Sequence, residues 1–279
     1  MSKPSRLPRN FHKSFKPERQ YINALLRYAA SGKSGDYQEI ALETGIPMGI
    51  SSGKVPAIID YCRGMGLIQL IGQNRSSIKK PDLTPFGRVV LLEDPFLKLN
   101  ITQWMAHLNL CSPLRGAEVW HQTFFPGKQA IGMSFERAQL ETYLCSSLKV
   151  DKSGIIGPLI GTYEDDASFR ICGALFEKNG IITRKSAPVS EEFGFGYGAW
   201  LLQLIHDFFP KSGQISVVEL DSAAGWRTIP GWDIETHQRV LGLVERKGLL
   251  TVDRHMEPWL LHPKMNFEGA WKLIYNDLI

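Results

Sequence analysis

Three adjacent acids, Glu164, Asp165 and Asp166, are the residues of this chain best suited to hold a divalent metal. Carboxylates are the hard oxygen ligands that Mg2+ and Mn2+ take, and a metal so held can activate water against a phosphodiester. A solvated loop carries the same composition, so the three stand as candidates and no catalytic residue is assigned. Glu245-Arg246-Lys247, with Asp233 upstream, has an E-x-K spacing that a nuclease core needs on a strand. Here the surrounding apolar periodicity predicts a helix instead. His206 and Asp207 are neighbours on a predicted helix, where adjacent side chains diverge, so they do not make a base and its orienting partner. His107 and His121 lie among aromatics and read as hydrogen-bonded core residues. Gly194-Phe195-Gly196-Tyr197-Gly198 lacks the spacing of a nucleotide-binding loop and reads as a flexible hinge. No Walker motif, no G-x-S-x-G elbow and no H-x-H pair is present. No nucleotide cofactor is therefore expected, and Mg2+ or Mn2+ is the cofactor the residues suggest.

The basic residues point to a polyanion. The stretch from Ile50 to Leu70, ISSGKVPAIIDYCRGMGLIQL, opens on Ser51, Ser52 and Lys54. Either serine can cap a helix, and Val55, Ile58, Ile59 and Cys62 follow at helical spacing. Gly64 and Gly66 stop the helix, and Leu67 to Ile71 reads as a strand. A polar tip follows (Gln73, Asn74, Arg75, Ser76, Ser77), then a return through Ile78, Lys79 and Lys80. The elements before it are helices from Glu18 to Tyr28 and from Asp36 to Glu43. Three helices and a basic-tipped hairpin predict a winged helix, whose third helix and hairpin can meet the sugar–phosphate backbone. From Trp232 to Val252 the same grammar recurs: a polar start, the apolar stripe Ile234, Val240, Leu243 and Val244, a stop at Gly248, and a strand. The expected backbone contacts are Lys13, Lys16, Ser51, Ser52, Lys54, Arg75, Lys79, Lys80, Arg239 and Arg246.

The elements that must position these residues fall into four expected segments. Residues 1–19 form a basic arm, with Lys3, Arg6, Arg9, Lys13, Lys16 and Arg19 against the single acid Glu18. Such an arm either lies along phosphates or stays a solvated tail. Residues 20–95 are the first winged helix. Residues 96–190 are a helical middle with Trp104, Trp120, Phe124, Phe125 and Tyr143, aromatics more in keeping with a core than with a base-stacking platform. The middle includes a short β excursion turned at Asn179-Gly180. Residues 191–279 are a second winged-helix-like unit, closed by an amphipathic tail from Phe267 to Leu278. The fold class expected is mainly α, with α+β character minor.

Composition narrows the class further. A chain of 279 residues with 43% hydrophobic content is long enough for one large domain or two to three small ones. Its apolar runs are shorter than the roughly 18 residues of a membrane span, and its start lacks the apolar core of a secretory signal. Four cysteines, Cys62, Cys111, Cys145 and Cys172, are scattered singly, which suits a reduced cytoplasm and argues against zinc. The net charge of +4 does not by itself demand nucleic acid, so the distribution of charge decides.

After the basic N-terminal helices come, in order, LTPFGRVVLLEDPFL, NLCSPLRGAEVWHQTFF, MSFERAQLETYLCSS and GIIGPLIGTYEDD. In these stretches the chain resembles a bacterial family of once-unknown function found beside sulfur-transfer genes in DNA phosphorothioation operons. Within it the likeness is to the B component of the Ssp system, the nickase of single-strand phosphorothioation. The resemblance is closest over residues 83–166 and carries no short catalytic signature. It implies a protein that binds double-stranded DNA and cuts one strand in an antiviral defence system. The implied partners are a cysteine desulfurase, an ATPase and an ATP-pyrophosphatase-like subunit, which would replace a non-bridging phosphate oxygen with sulfur. A non-catalytic DNA-binding adaptor or regulator, and a protein-interaction scaffold whose winged helices bind partners, are the alternatives that the residues alone leave open.

Overall fold

The computed structural model describes residues 6–50, 53–72, 76–150 and 154–278. It is mainly helical, with three small antiparallel sheets among these residues. By packing the chain divides into two compact units, Met1–Lys185 and Ser186–Ile279. The expected arm, first helical unit and middle thus come together in one body.

The first unit opens with α1 (Arg19–Ala30), α2 (Tyr37–Thr44) and α3 (Lys54–Gly64), followed by the hairpin β1 (Ile68–Leu70) and β2 (Pro81–Leu83). Local chemistry sets these boundaries. Asp36 and Glu39 form a reciprocal capping box at the start of α2, and Gly45 ends it in the left-handed conformation. An antiparallel bridge between Gly35 and Lys79 ties the α1–α2 connection to the hairpin. Gly66, at φ 73°, turns the chain out of α3 into β1. The middle contributes α4 (Pro85–Glu93), α5 (Asn100–Leu110), α6 (Glu118–Phe124) and α7 (Pro126–Ile131). Then come β3 (Ser134–Glu136), α8 (Arg137–Leu148), α9 (Ile156–Glu164), β4 (Leu175–Lys178) and β5 (Ile181–Arg184). The sheet order is β3-β5-β4. Asn179 and Gly180, at φ 54° and 79°, make the tight turn that Asn-Gly announces. The tryptophans of the middle, Trp104 and Trp120, are wholly buried, so its aromatics are core.

The second unit runs α10 (Gly194–Phe208), β6 (Ile215–Ser216), α11 (Val217–Ala224), α12 (Ile234–Arg246), β7 (Leu250–Asp253), β8 (Leu260–Pro263) and α13 (Phe267–Trp271). Its sheet is ordered β6-β8-β7. The punctuation repeats that of the first unit. A capping box of Ser216 and Glu219 opens α11, and Gly225 closes it at φ 70°. Gly248, at φ 74°, leads from α12 into β7. The expected tail helix over Phe267–Leu278 is shorter: α13 ends at Trp271 and turns follow.

Two expectations are corrected here. The glycine-rich run from Gly194 to Gly198 is not a hinge but the first turn and more of α10. Its glycines admit close neighbours: a Cβ on Gly198 would lie 2.1 Å from the Leu249 side chain. The basic arm, from Arg6 onward, is neither a solvated tail nor a free strap. Leu7, Phe11 and His12 are buried, and Leu7 bridges to Ala117 in parallel. The Phe11 ring stands edge-on to Tyr61 at 4.7 Å and beside Trp120 at 5.9 Å, and Tyr61 donates its hydroxyl proton to the Phe15 carbonyl at 3.0 Å. The apolar residues spaced between the arm's charges therefore fold it onto α3.

Candidate nucleic-acid interface

Metal-assisted strand cutting would need carboxylates gathered about one point. Asp165 accepts an ion pair from Lys16 and a backbone N–H from Ala167. The Lys16 hydrogen bond, helped by that N–H, holds its carboxyl below the usual range. Asp166 pairs with Arg170 at 2.9 Å, and its carbonyl accepts from Arg19 at 2.6 Å. Glu164 accepts the Glu177 backbone N–H at 3.1 Å. Each acid is thus turned to a different local partner. Among the described residues no three His, Cys, Asp or Glu side chains gather as a metal site. Mg2+ asks for several oxygens arranged octahedrally around one point, and these three do not fit that demand.

In the first unit the expected DNA-contacting residues are divided by burial. Val55, Pro56, Ala57, Ile58, Ile59, Tyr61, Cys62 and Gly64 of α3 are all buried, under the arm on one side and α5 on another. A Cβ on Gly64 would lie 2.8 Å from both Leu7 and Leu110. The reading of α3 as an open helix for a duplex is therefore corrected: its sides are protein core. Its N-cap is Gly53, with no side-chain cap; Ser51, Ser52 and Arg75 lie outside the described residues. Lys54 is ion-paired to Glu18 and sits over the Tyr21 ring at 4.8 Å, and so helps to fasten the arm. Lys16 does the same through Asp165.

What stays outside is a smaller cluster, of which the sequence named Lys13, Lys79 and Lys80 singly but not Asp60 or Arg63. Asp60 pairs with Arg63 at 2.7 Å, and Lys79 and Lys13 lie close enough to pull on the same carboxylate. Burial pushes the Asp60 carboxyl above its ordinary range, against the pull of those three cations. Lys79 Nζ lies 5.8 Å from the centre of the Tyr37 ring. Lys13 and Lys80 are exposed. One acid thus faces three cations drawn from the arm, α3 and the hairpin. The i, i+3 spacing of Asp60 and Arg63 was the signal in the sequence that could have added that pair to the three lysines.

In the second unit the third helix is open. Asp233 caps α12 by accepting the Thr236 N–H at 2.7 Å. His237, Val240, Leu241, Leu243 and Val244 face inward. Glu235, Gln238, Arg239 and Arg246 are exposed on the other side. Arg239 makes no hydrogen bond or ion pair among the described residues, while Arg246 pairs with Glu191 at 2.8 Å. Glu245 and Lys247 of the E-x-K triplet are on helix and helix end, as the surrounding apolar periodicity predicts. Glu245 turns to Arg254 at 2.8 Å, and Arg254 in turn stacks 5.3 Å from the Trp259 ring on the hairpin. No described helix is long and apolar enough to cross a membrane.

No family model and no curated protein matches the chain. Solved structures do match. A magnesium ion-bound SspB crystal structure superposes with a TM-score of 0.71 at 15% identity, covering 100% of this chain and 89% of the other. A second SspB crystal structure gives a TM-score of 0.71 at 16% identity with the same coverage. Over its whole length, then, the chain has the SspB fold, the type to which its sequence resemblance points.

Proposed function

We propose that this protein is the DNA-binding, strand-nicking subunit of a bacterial DNA phosphorothioation system. The single observation that carries the DNA-binding part is α12. It is the third helix of a helix–strand–helix–helix–hairpin unit, and it turns Gln238, Arg239 and Arg246 to solvent. In that order of elements we read a winged helix, in which the third helix enters the major groove and the hairpin meets the backbone. The first unit repeats the order but not the exposure. Its contribution is the Lys13, Arg63, Lys79 and Lys80 cluster, placed to touch phosphates without reading bases. The likeness to SspB supports the place of the chain in that machinery, beside a cysteine desulfurase, an ATPase and an ATP-pyrophosphatase-like subunit.

The test is relaxation of supercoiled plasmid with Mg2+ or Mn2+, by the protein alone and with those partners. Conversion to open circles supports nicking. Plasmid that stays supercoiled under every condition, while a labelled duplex is still bound, favours a non-catalytic DNA-binding adaptor. One observation leans that way: Glu164, Asp165 and Asp166 are each tied to other groups. Turned apart as they are, they do not fit a metal, and no step of the cutting is assigned to one.

A further inference from the structure

Gly242 sits in the middle of α12 on its outward side, where glycine weakens a helix. Packing does not require it. A Cβ built there would meet only the Arg246 guanidinium, at 3.8 Å. Instead the glycine forms part of the lining of an open hollow of about 360 Å3, together with Val189, Ser190, Glu191, Arg239, Leu243 and Arg246. Two guanidiniums therefore flank a patch of helix stripped of its side chain. Glu191 is the one acid among the lining residues. It accepts from Arg246 at 2.8 Å and from Lys247 at 3.2 Å.

We propose that this hollow is a phosphate pocket, fitted to a phosphodiester of a nucleic-acid backbone, and that Glu191 occupies Arg246 until the phosphate arrives. The inference deepens the DNA-binding reading above and rests on it. Carboxylate and phosphate oxygens make the same forked hydrogen bonds to guanidinium, so one can replace the other. The Arg246 and Glu191 side chains are 62% and 65% exposed, and an ion pair so wetted is weak and readily exchanged. Lys247 has a second acid, Asp277 at 3.0 Å, so release of Glu191 does not strand it. The missing side chain at position 242 lets a sugar–phosphate approach the helix, with Val189 and Leu243 as apolar wall.

Three variants test this by fluorescence anisotropy of a labelled duplex. Gly242→Leu fills the hollow without changing charge and places a better helix former on an exposed face. It should weaken duplex binding by about tenfold while raising the unfolding midpoint, so loss of binding is not loss of fold. Glu191→Gln should tighten binding by about two- to fivefold. Glu192→Gln, the same charge change on the exposed neighbour outside the lining, should tighten it less. Inorganic phosphate, followed by NMR of the arginine side chains, is the second arm and should shift Arg239 and Arg246 together. If the wild type binds duplex and all three variants bind equally well, the pocket is overturned and the DNA-binding reading stands. If no duplex binds but phosphate shifts both arginines, the nucleic-acid source is overturned along with that reading. If neither binds, both fall.

Discussion

Replacing Phe11 by alanine should destabilise the first unit by about 3–5 kcal/mol. Phe11 is 5% exposed although it stands in the most basic stretch of the chain. Its ring meets Tyr61 edge-on and lies beside Trp120, and Tyr61 and Trp120 stand at 90° to one another. Truncation removes the transfer energy of a buried phenyl ring and leaves a cavity that these large rings cannot easily close. Loss of a T-shaped aromatic pair accounts for about 0.5–1.5 kcal/mol of the total. Two compact units need not unfold together, so a single denaturation curve can mix them. Hydrogen exchange of the α3 amides reads the right place, because α3 is what Phe11 covers. The exchange free energy there should fall by the same amount, while the amides of α12 keep theirs. Lys13→Ala, an exposed residue two positions along, is the control and should change either by no more than about 0.5 kcal/mol. A Phe11→Ala protein whose α3 amides are destabilised by less than about 1 kcal/mol would refute the reasoning. The arm would then be a tail laid on the surface, as its charge alone suggests.

Further outcomes follow from other parts of the molecule. Lys79→Glu with Lys80→Glu should weaken duplex binding on every sequence alike and flatten the salt slope by about 0.9 for each phosphate no longer neutralised; an unchanged slope removes the hairpin from the interface. Lys54→Met should leave the slope as it was and lower stability instead, since Lys54 is paired to Glu18. Burial lowers His12 and His121 from 6.5 to about 4, and His107, whose Nδ1 meets the Tyr163 hydroxyl at 2.6 Å, to about 3. Their neutral forms are favoured by folding. Their contribution is therefore full above about pH 6.5 and is lost as the pH falls toward 4, because only the unfolded chain takes up the protons. Each should cost about 2 kcal/mol between pH 7 and 5, and equal first-unit stability at the two values would contradict this. Arg184 is 4% exposed, donates to the Thr123 carbonyl at 2.7 Å and to the Gly132 carbonyl, and lies 4.5 Å from the Phe135 ring centre. Arg184→Met should cost about 2–4 kcal/mol by leaving those carbonyls unpaired, measured by urea unfolding.

Much of the architecture was written locally. Helical spacing, capping residues and Gly-terminated turns act over four to seven positions, so α1, α2, α3, α12 and the Asn179-Gly180 hairpin could be placed from sequence. The likeness between "GMGLIQL" and "RKGLLTV" marked a repeated order of elements that the structure contains twice. The same signals misled where one pattern serves two environments. The glycines of 194–198 looked like a hinge because a sequence does not show the Leu249 side chain that presses on the helix at Gly198.

What encloses the third helix of the first unit was decided by tertiary structure. Both α3 and α12 have an apolar stripe and a polar start; α3 is apolar on most of its sides and α12 keeps a charged face, which separates a buried from a surface helix but does not name what covers it. The cover comes from residues far along the chain: Leu7 and Phe11 before α3, and Leu110 and Trp120 after it, close around its remaining sides. Charge followed the same rule. Lys16, Lys54, Glu164, Asp165 and Asp166 read as ligands for phosphate or metal when counted singly, and folding neutralised most of them against partners up to 149 residues away. Composition sets how many charges a chain has; only the three-dimensional meeting of distant segments determines which of them remain for a ligand, because ion pairing and burial depend on distance in space.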